Sequence, residues 1–209
     1  TLIRQDAETV SSINVFALDL RGVNSGNNTV IDSNFNGKND HDIYVDDDFP
    51  GYSWLKLYNT TYNKSDLNVT DEDFEVHVHW VLDVNVTNMT GQLEDANVTV
   101  RFTNQSIAFT EQTPASGITS LHNVTEYIEN TSGKFFNTPL NITVSKLGYA
   151  TYINDTYNLS ESMRLDVVLS EAFTPVSTCR VLNESNTIYR LQNDVNSSGT
   201  CFNISAENV

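Results

Sequence analysis

Apolar and polar side chains alternate along residues 75–86, with Val81 the one apolar residue on the polar parity. Val76, Val78, Trp80, Leu82, Val84 and Val86 take one parity; Glu75, His77, His79, Asp83 and Asn85 take the other. A period of two places successive side chains on opposite faces of an extended chain, so this stretch predicts a half-buried strand. Residues 96–103 repeat the pattern, with Val98, Val100 and Phe102 inward and Asn97, Thr99 and Arg101 outward. Further strands are predicted at 140–145, 150–154 and 163–170, the last with Leu165, Val167 and Leu169 on one face. Short runs divided by Asn, Gly and Ser turns, with hardly any helical period, predict an all-β chain built as an antiparallel β-sandwich. Residues 122–130 leave room for one helical turn.

Residues 12–20 differ, because Ile13, Val15, Phe16, Ala17, Leu18 and Leu20 follow one another with few polar interruptions. Such a run reads as a strand buried on both faces. Two roles fit it: the ordinary first strand of its own sandwich, or, with residues 9–20 preceded by a polar lead, a strand donated to a neighbouring subunit.

Composition narrows the function. The 209 residues hold 11 Lys+Arg against 27 Asp+Glu, a net charge of −16 with only 18% charged residues. A surface so poor in cations predicts no nucleic-acid partner. No apolar run approaches the roughly 18–20 residues of a membrane-spanning helix, and Thr1 opens no basic-then-apolar leader, so the chain reads as a mature soluble piece with no membrane span. The two cysteines, Cys179 and Cys201, are expected to pair, which on the chain-entropy estimate stabilises by roughly 3 kcal/mol.

Asn-x-Ser/Thr triplets start at Asn27, Asn59, Asn63, Asn68, Asn85, Asn88, Asn97, Asn104, Asn123, Asn130, Asn141, Asn154, Asn158, Asn183, Asn196 and Asn203, sixteen in all. From 26 Asn and 42 Ser+Thr, independent placement predicts about five, so the excess points to N-glycosylation. Asn85, Asn97 and Asn141 each fall on the polar parity of their strand. A chain carrying many N-linked glycans is exported, and its coat leaves little bare surface for a large substrate cleft.

Three segments resemble carboxypeptidase regulatory-like domains: Asp95-Ala-Asn-Val-Thr-Val100, Val144-Ser-Lys-Leu-Gly-Tyr149 and Leu165-Asp-Val-Val-Leu169. The resemblance covers residues 74–171 and implies an immunoglobulin/prealbumin-like sandwich of non-catalytic type, common in surface proteins of archaea and bacteria. It departs in the middle, where a longer segment, residues 109–136, replaces the family's short hairpin. The end of the chain, Gly199-Thr-Cys-Phe-Asn-Ile-Ser-Ala-Glu-Asn-Val209, is similar to the disulfide-closed lead-in of right-handed β-helix regions in archaeal surface proteins. The expected organisation is an N-terminal β region over 1–72, the sandwich over 73–172 and a disulfide-closed hairpin segment over 173–209.

Chemistry-bearing patterns are few. Asp32, Asn34 and Asn36 stand at positions 1, 3 and 5 of a run with Gly37 at position 6, followed by Lys38, Asp40 and Asp42. Calcium takes six to eight oxygen ligands around a sharply turning loop, and this spacing suits that geometry. A solvated Asn- and Gly-rich turn is the other reading, because Ile43 replaces the usual final carboxylate. His77 and His79 share a strand face at metal-ligand spacing, with His41 and His122 the only other histidines. Tyr44, Phe49, Tyr52, Trp54, Tyr58 and Tyr62 form either core or a sugar-stacking platform. Lys38, Lys56, Lys64, Lys134 and Lys146 are the donors available to an isopeptide bond. No nucleophile motif or phosphate loop is present, so no enzyme is expected. The sequence therefore predicts an extracellular, N-glycosylated structural protein of the archaeal cell surface, partnered by copies of itself in a filament, pilus or surface layer. The alternative is a carbohydrate- or cell-binding adhesin module from a larger protein.

Overall fold

A computed structural model describes residues 17–21, 27–35, 41–46 and 51–207. Among them the chain is all-β, with eighteen strands and no helix. The first six are β1 (Leu18–Arg21), β2 (Asn27–Ile31), β3 (Ile43–Asp46), β4 (Ser53–Tyr58), β5 (Leu67–Val69) and the long β6 (Phe74–Asn88). Alternate strands join different sheets: β1, β3 and β5 pair in one, β2, β4 and β6 in the other, and every one of these pairings is parallel.

This region is a coil rather than an antiparallel arrangement. Ile43 lies beside Leu18 and Leu67 beside Ile43, offsets of 25 and 24 residues; Trp54 lies beside Asn27 and Phe74 beside Ser53, offsets of 27 and 21. Each connection leads into the opposite sheet instead of back alongside its own strand, so strands in one sheet point the same way. Leu18, Leu20, Ile43, Val45, Leu67 and Val69 face Val30, Leu55, Leu57, Val76 and Val78 across a shared core. Asp19 is exposed between Leu18 and Leu20, so this part of the apolar run buries only one face. Leu18–Arg21 pairs within its own chain, as an ordinary first strand does. The remainder of the donor-type segment, residues 9–16, lies outside the described residues.

The expected sandwich occupies the middle of the chain. One layer is β6 with β10 (His122–Asn130), β11 (Gly133–Phe136) and β14 (Met163–Val168), flanked by the short β7 (Gly91–Gln92). The other has the order β13 (Tyr152–Tyr157), β12 (Leu140–Ser145), β8 (Asn97–Arg101), β9 (Ile107–Gln112), all antiparallel. The alternation predicted for β6 is observed on its apolar parity, where Val76 to Val86 are all buried, and is broken at Asp83, which is buried on the polar parity. The helical turn allowed for residues 122–130 is instead the antiparallel strand β10, whose Val124 and Tyr127 fill the core.

The C-terminal segment carries β15 (Thr174–Val176), β16 (Arg180–Leu182), β17 (Tyr189–Leu191) and β18 (Phe202–Ile204). Cys179 and Cys201 form the expected disulfide. The strands that follow them, β16 and β18, run parallel, as do β15 and β17. The disulfide loop is therefore a turn of a second small coil rather than a hairpin, because the chain crosses to the other sheet between the two paired strands.

One strand belongs to both architectures, since β6 pairs with β4 through Tyr58↔His79 and with β14 from Met163↔Leu82 onward. Leu82 at this junction is fully buried. Leu82→Ala is expected to cost about 2–4 kcal/mol and to shift coil and sandwich together. Urea unfolding followed by tryptophan fluorescence and by far-UV circular dichroism should give coincident transitions; two separate ones would show that the coil folds independently of the sandwich.

Candidate functional site

Three surfaces hold the side chains singled out by sequence: the outer face of the coil, the sequon-bearing faces, and the C-terminal coil. On the outer face, register places Asn27, Trp54 and Glu75 in one row, Thr29, Lys56 and His77 in the next, and Ile31, Tyr58 and His79 in a third. Lys56 Nζ lies 4.2 Å above the Trp54 ring, and Tyr58 stacks on His79 at 4.5 Å. The Tyr52 hydroxyl donates to Glu75, which also bonds His77 Nε2 at 2.9 Å. Of the six aromatics, Tyr52, Trp54 and Tyr58 share β4 or its approach. Tyr44 lies on the other sheet, Tyr62 packs against the core, and Phe49 falls outside the described residues.

The two histidines share a face as predicted, yet among the described residues no group of three or more His, Cys, Asp or Glu is placed to hold a metal. Burial, then the nearby His77 and Lys56, lowers the His79 pKa to about 4. Its Nδ1 meets the Thr125 hydroxyl at 3.0 Å, and its Nε2 is enclosed without a partner.

The described start of the calcium-type loop belongs to the coil, with Asn34 bridged in parallel to Thr61 of the next turn. Asn36, Lys38 and Asp40 lie outside the described residues. At the two ends of the loop, the Asp32 carboxylate accepts from the Asn59 amide at 2.7 Å and the buried Asp42 carboxylate accepts from the Asn63 backbone N–H at 2.6 Å. These two acids thus tie adjacent turns together. Among the described lysines none faces an asparagine side chain at bonding distance. Lys64 reaches Glu126, Lys134 reaches Glu129, Lys146 donates to the Glu94 carbonyl and Lys56 lies on Trp54.

Sequence reasoning missed the buried polar cluster between coil and sandwich. In β10 a bulge between Thr125 and Tyr127 leaves Glu126 without a register partner, so Glu126 and Tyr127 both turn inward. The Glu126 carboxylate accepts from Trp80 Nε1 at 2.5 Å and from Lys64 Nζ at 2.7 Å; the Tyr127 hydroxyl bonds that of Tyr62. Asp83, predicted on the polar parity, is buried and held by Arg164 at 2.6 Å. The acids of an acidic chain gave no local cue to which two would be buried.

All sixteen sequon asparagines lie among the described residues and none is buried, whereas Asn28, outside a sequon position, is. Asn63, Asn88, Asn104, Asn130 and Asn154 accept from the backbone N–H two residues on, a local turn that gives these triplets a structural use of their own. Asn97 and Asn141 instead sit on adjacent strands of the outer face of the four-stranded sheet, beside Ser145 and Arg101. There the triplet follows from strand parity, not turn chemistry.

No protein-family model matches the chain, and no curated protein matches it. The resemblance to carboxypeptidase regulatory-like domains therefore rests on the three quoted motifs alone.

Two outcomes follow from this geometry. In the folded chain His79 stays neutral down to about pH 4, while unfolded it takes up its proton near 6.5. The unfolded state binds more protons in that window, so this contribution is full above about 6.5 and is lost as pH falls toward 4, a drop on the order of 3 kcal/mol. Chemical denaturation across this range should show a shallower slope in His79→Phe. Asn85 donates its amide to Asp166 at 2.7 Å and its carbonyl oxygen is enclosed. Glycopeptide mass spectrometry of native protein should find Asn85 the least occupied sequon; full occupancy there would show that modification precedes its burial.

Proposed function

We propose that this chain is an extracellular, N-glycosylated, non-catalytic structural protein of the archaeal cell surface, the subunit of a filament or surface layer. The observation that carries the reading is the pairing of sixteen accessible sequon asparagines with a coil at each end of the sandwich. Parallel coils add strands along their axis, and a sandwich with such a region before and after it suits head-to-tail growth. The Cys179–Cys201 disulfide agrees with an oxidising compartment. Strand donation from the part of the 9–20 segment that precedes β1, residues 9–16, is the proposed joint, with glycans over the flanks. Calcium bound by the 32–42 loop is the proposed brace, adding charge balance beside Asp42 and Asp46.

A second reading, a carbohydrate-binding adhesin module, is favoured by Tyr52, 63% exposed, next to Trp54 on the outer face of the coil. Aromatic rings on a flat sheet face stack against sugar rings. Electron microscopy of native material separates the two. Regular filaments or sheets with one subunit per repeat, loosened by calcium chelation, are expected. Isolated particles that bind a glycan array, and lose that binding in Tyr52→Ala and Trp54→Ala, would overturn self-assembly in favour of the adhesin.

A further inference from the structure

The last described turn of the C-terminal coil leaves apolar side chains exposed. Val176 and Leu191 are register partners on successive turns, yet Val176 is 2% exposed and Leu191 58%. The other sheet ends the same way, with Ile204, the partner of Leu182, 62% exposed. Val176, Leu182, Tyr189, Leu191, Phe202 and Ile204 surround an apolar recess of about 270 Å³ with no charged residue in its lining. Among the described residues, β17 and β18 each have a neighbour on one edge alone, so the recess is bordered by open backbone edges. A coil turn covers the turn before it with apolar side chains and pairs with its edges, so this recess and its open edges fit a further strand laid on them.

The geometry points to a second copy of this chain as the occupant: its N-terminal end, with residues 9–16, which precede the strand paired in its own chain, laid into the recess as the next parallel strand. This rests on the self-assembly reading above and names its interface. The first argument is chemical fit. Residues 9–16 carry no charge and include Val10, Ile13, Val15 and Phe16, which suits an uncharged apolar recess. The second is continuity, because β1 follows at once and has a neighbour on one edge only, β3, among the described residues. A strand laid at the recess would thus lead directly into the first turn of the incoming copy. The third is charge. Residues 173–209 hold two cations against three acids, while residues 1–73 hold five against thirteen. The nearly neutral end meets the acidic end, so the contact avoids the repulsion that two acidic ends would suffer. Because the two contacting surfaces differ, the association is heterologous and continues as an open chain.

Leu191→Asp with Ile204→Asp places two charges in the recess at exposed positions, so the fold should keep its melting temperature. The intact native chain and this double variant are compared by sedimentation over a concentration series and by electron microscopy. A labelled peptide of residues 9–16 is titrated into each, with a scrambled peptide as control. The intact chain is expected to assemble and the variant to stay monomeric. The peptide should bind the intact chain at least tenfold more tightly than the variant, and in excess shorten its assemblies. If the variant assembles as well as the intact chain does, or the two peptides bind alike, the recess is not the acceptor and this inference falls while self-assembly stands. If the intact chain never assembles, self-assembly falls, and selective peptide binding still decides the recess.

Discussion

Everything in this chain is hung on the two edges of a single fifteen-residue strand, Phe74–Asn88. Its first half closes the coil through Ser53–Tyr58, and its second half pairs with Met163–Val168 on that edge. The opposite edge pairs with His122–Asn130, then continues through the Asn85–Ile118 bridge and Gly91–Gln92. A strand satisfied on both edges along its length has no freedom to slip, because a shift of one residue would turn Phe74, Val76, Val78, Trp80, Leu82, Val84 and Val86 outward together. The cost of a register error is therefore the loss of the whole core face, in coil and sandwich at once.

The second constraint is polar. Glu126 is a buried carboxylate in a chain with 27 acids, and burying a charge is unfavourable unless it is paired and hydrogen-bonded. Lys64 arrives from a turn of the coil, Trp80 from the shared strand and Glu126 from the sandwich. The three meet only when coil and sandwich are correctly docked, so the cluster selects one docking more than it adds stability. Asp42 and Asp32 do the same within the coil, each bonding the following turn.

What the sequence disclosed follows from how local each feature is. The sandwich strands were legible because alternation at 75–86 and 96–103 is a property of consecutive residues, and it survives in the buried parity of the structure. The direction of pairing in the coil was not, since a strand such as Ser53–Tyr58 alternates identically whether its neighbours run parallel or antiparallel. Turns of 21 to 27 residues without a repeated motif leave no periodic trace. The helical turn allowed at 122–130 arose from the same limit: the bulge at Glu126 interrupts the alternation and hides a nine-residue strand. The six aromatics looked like one cluster because they are close in sequence, whereas the coil deals them onto different sheets.

Strand parity also arranges the surface that the proposed assembly would use. In Phe202–Ile204 the central Asn203 points away from the recess that Phe202 and Ile204 line, and in Asn27–Ile31 the sequon asparagine faces out while Asn28 and Val30 face in. A glycan at either position would stand on the flank of a coil and leave its end bare. On the proposed reading, sugars then oppose side-by-side contact while the ends stay free to meet, and growth is restricted to one dimension by the same period of two that builds the core.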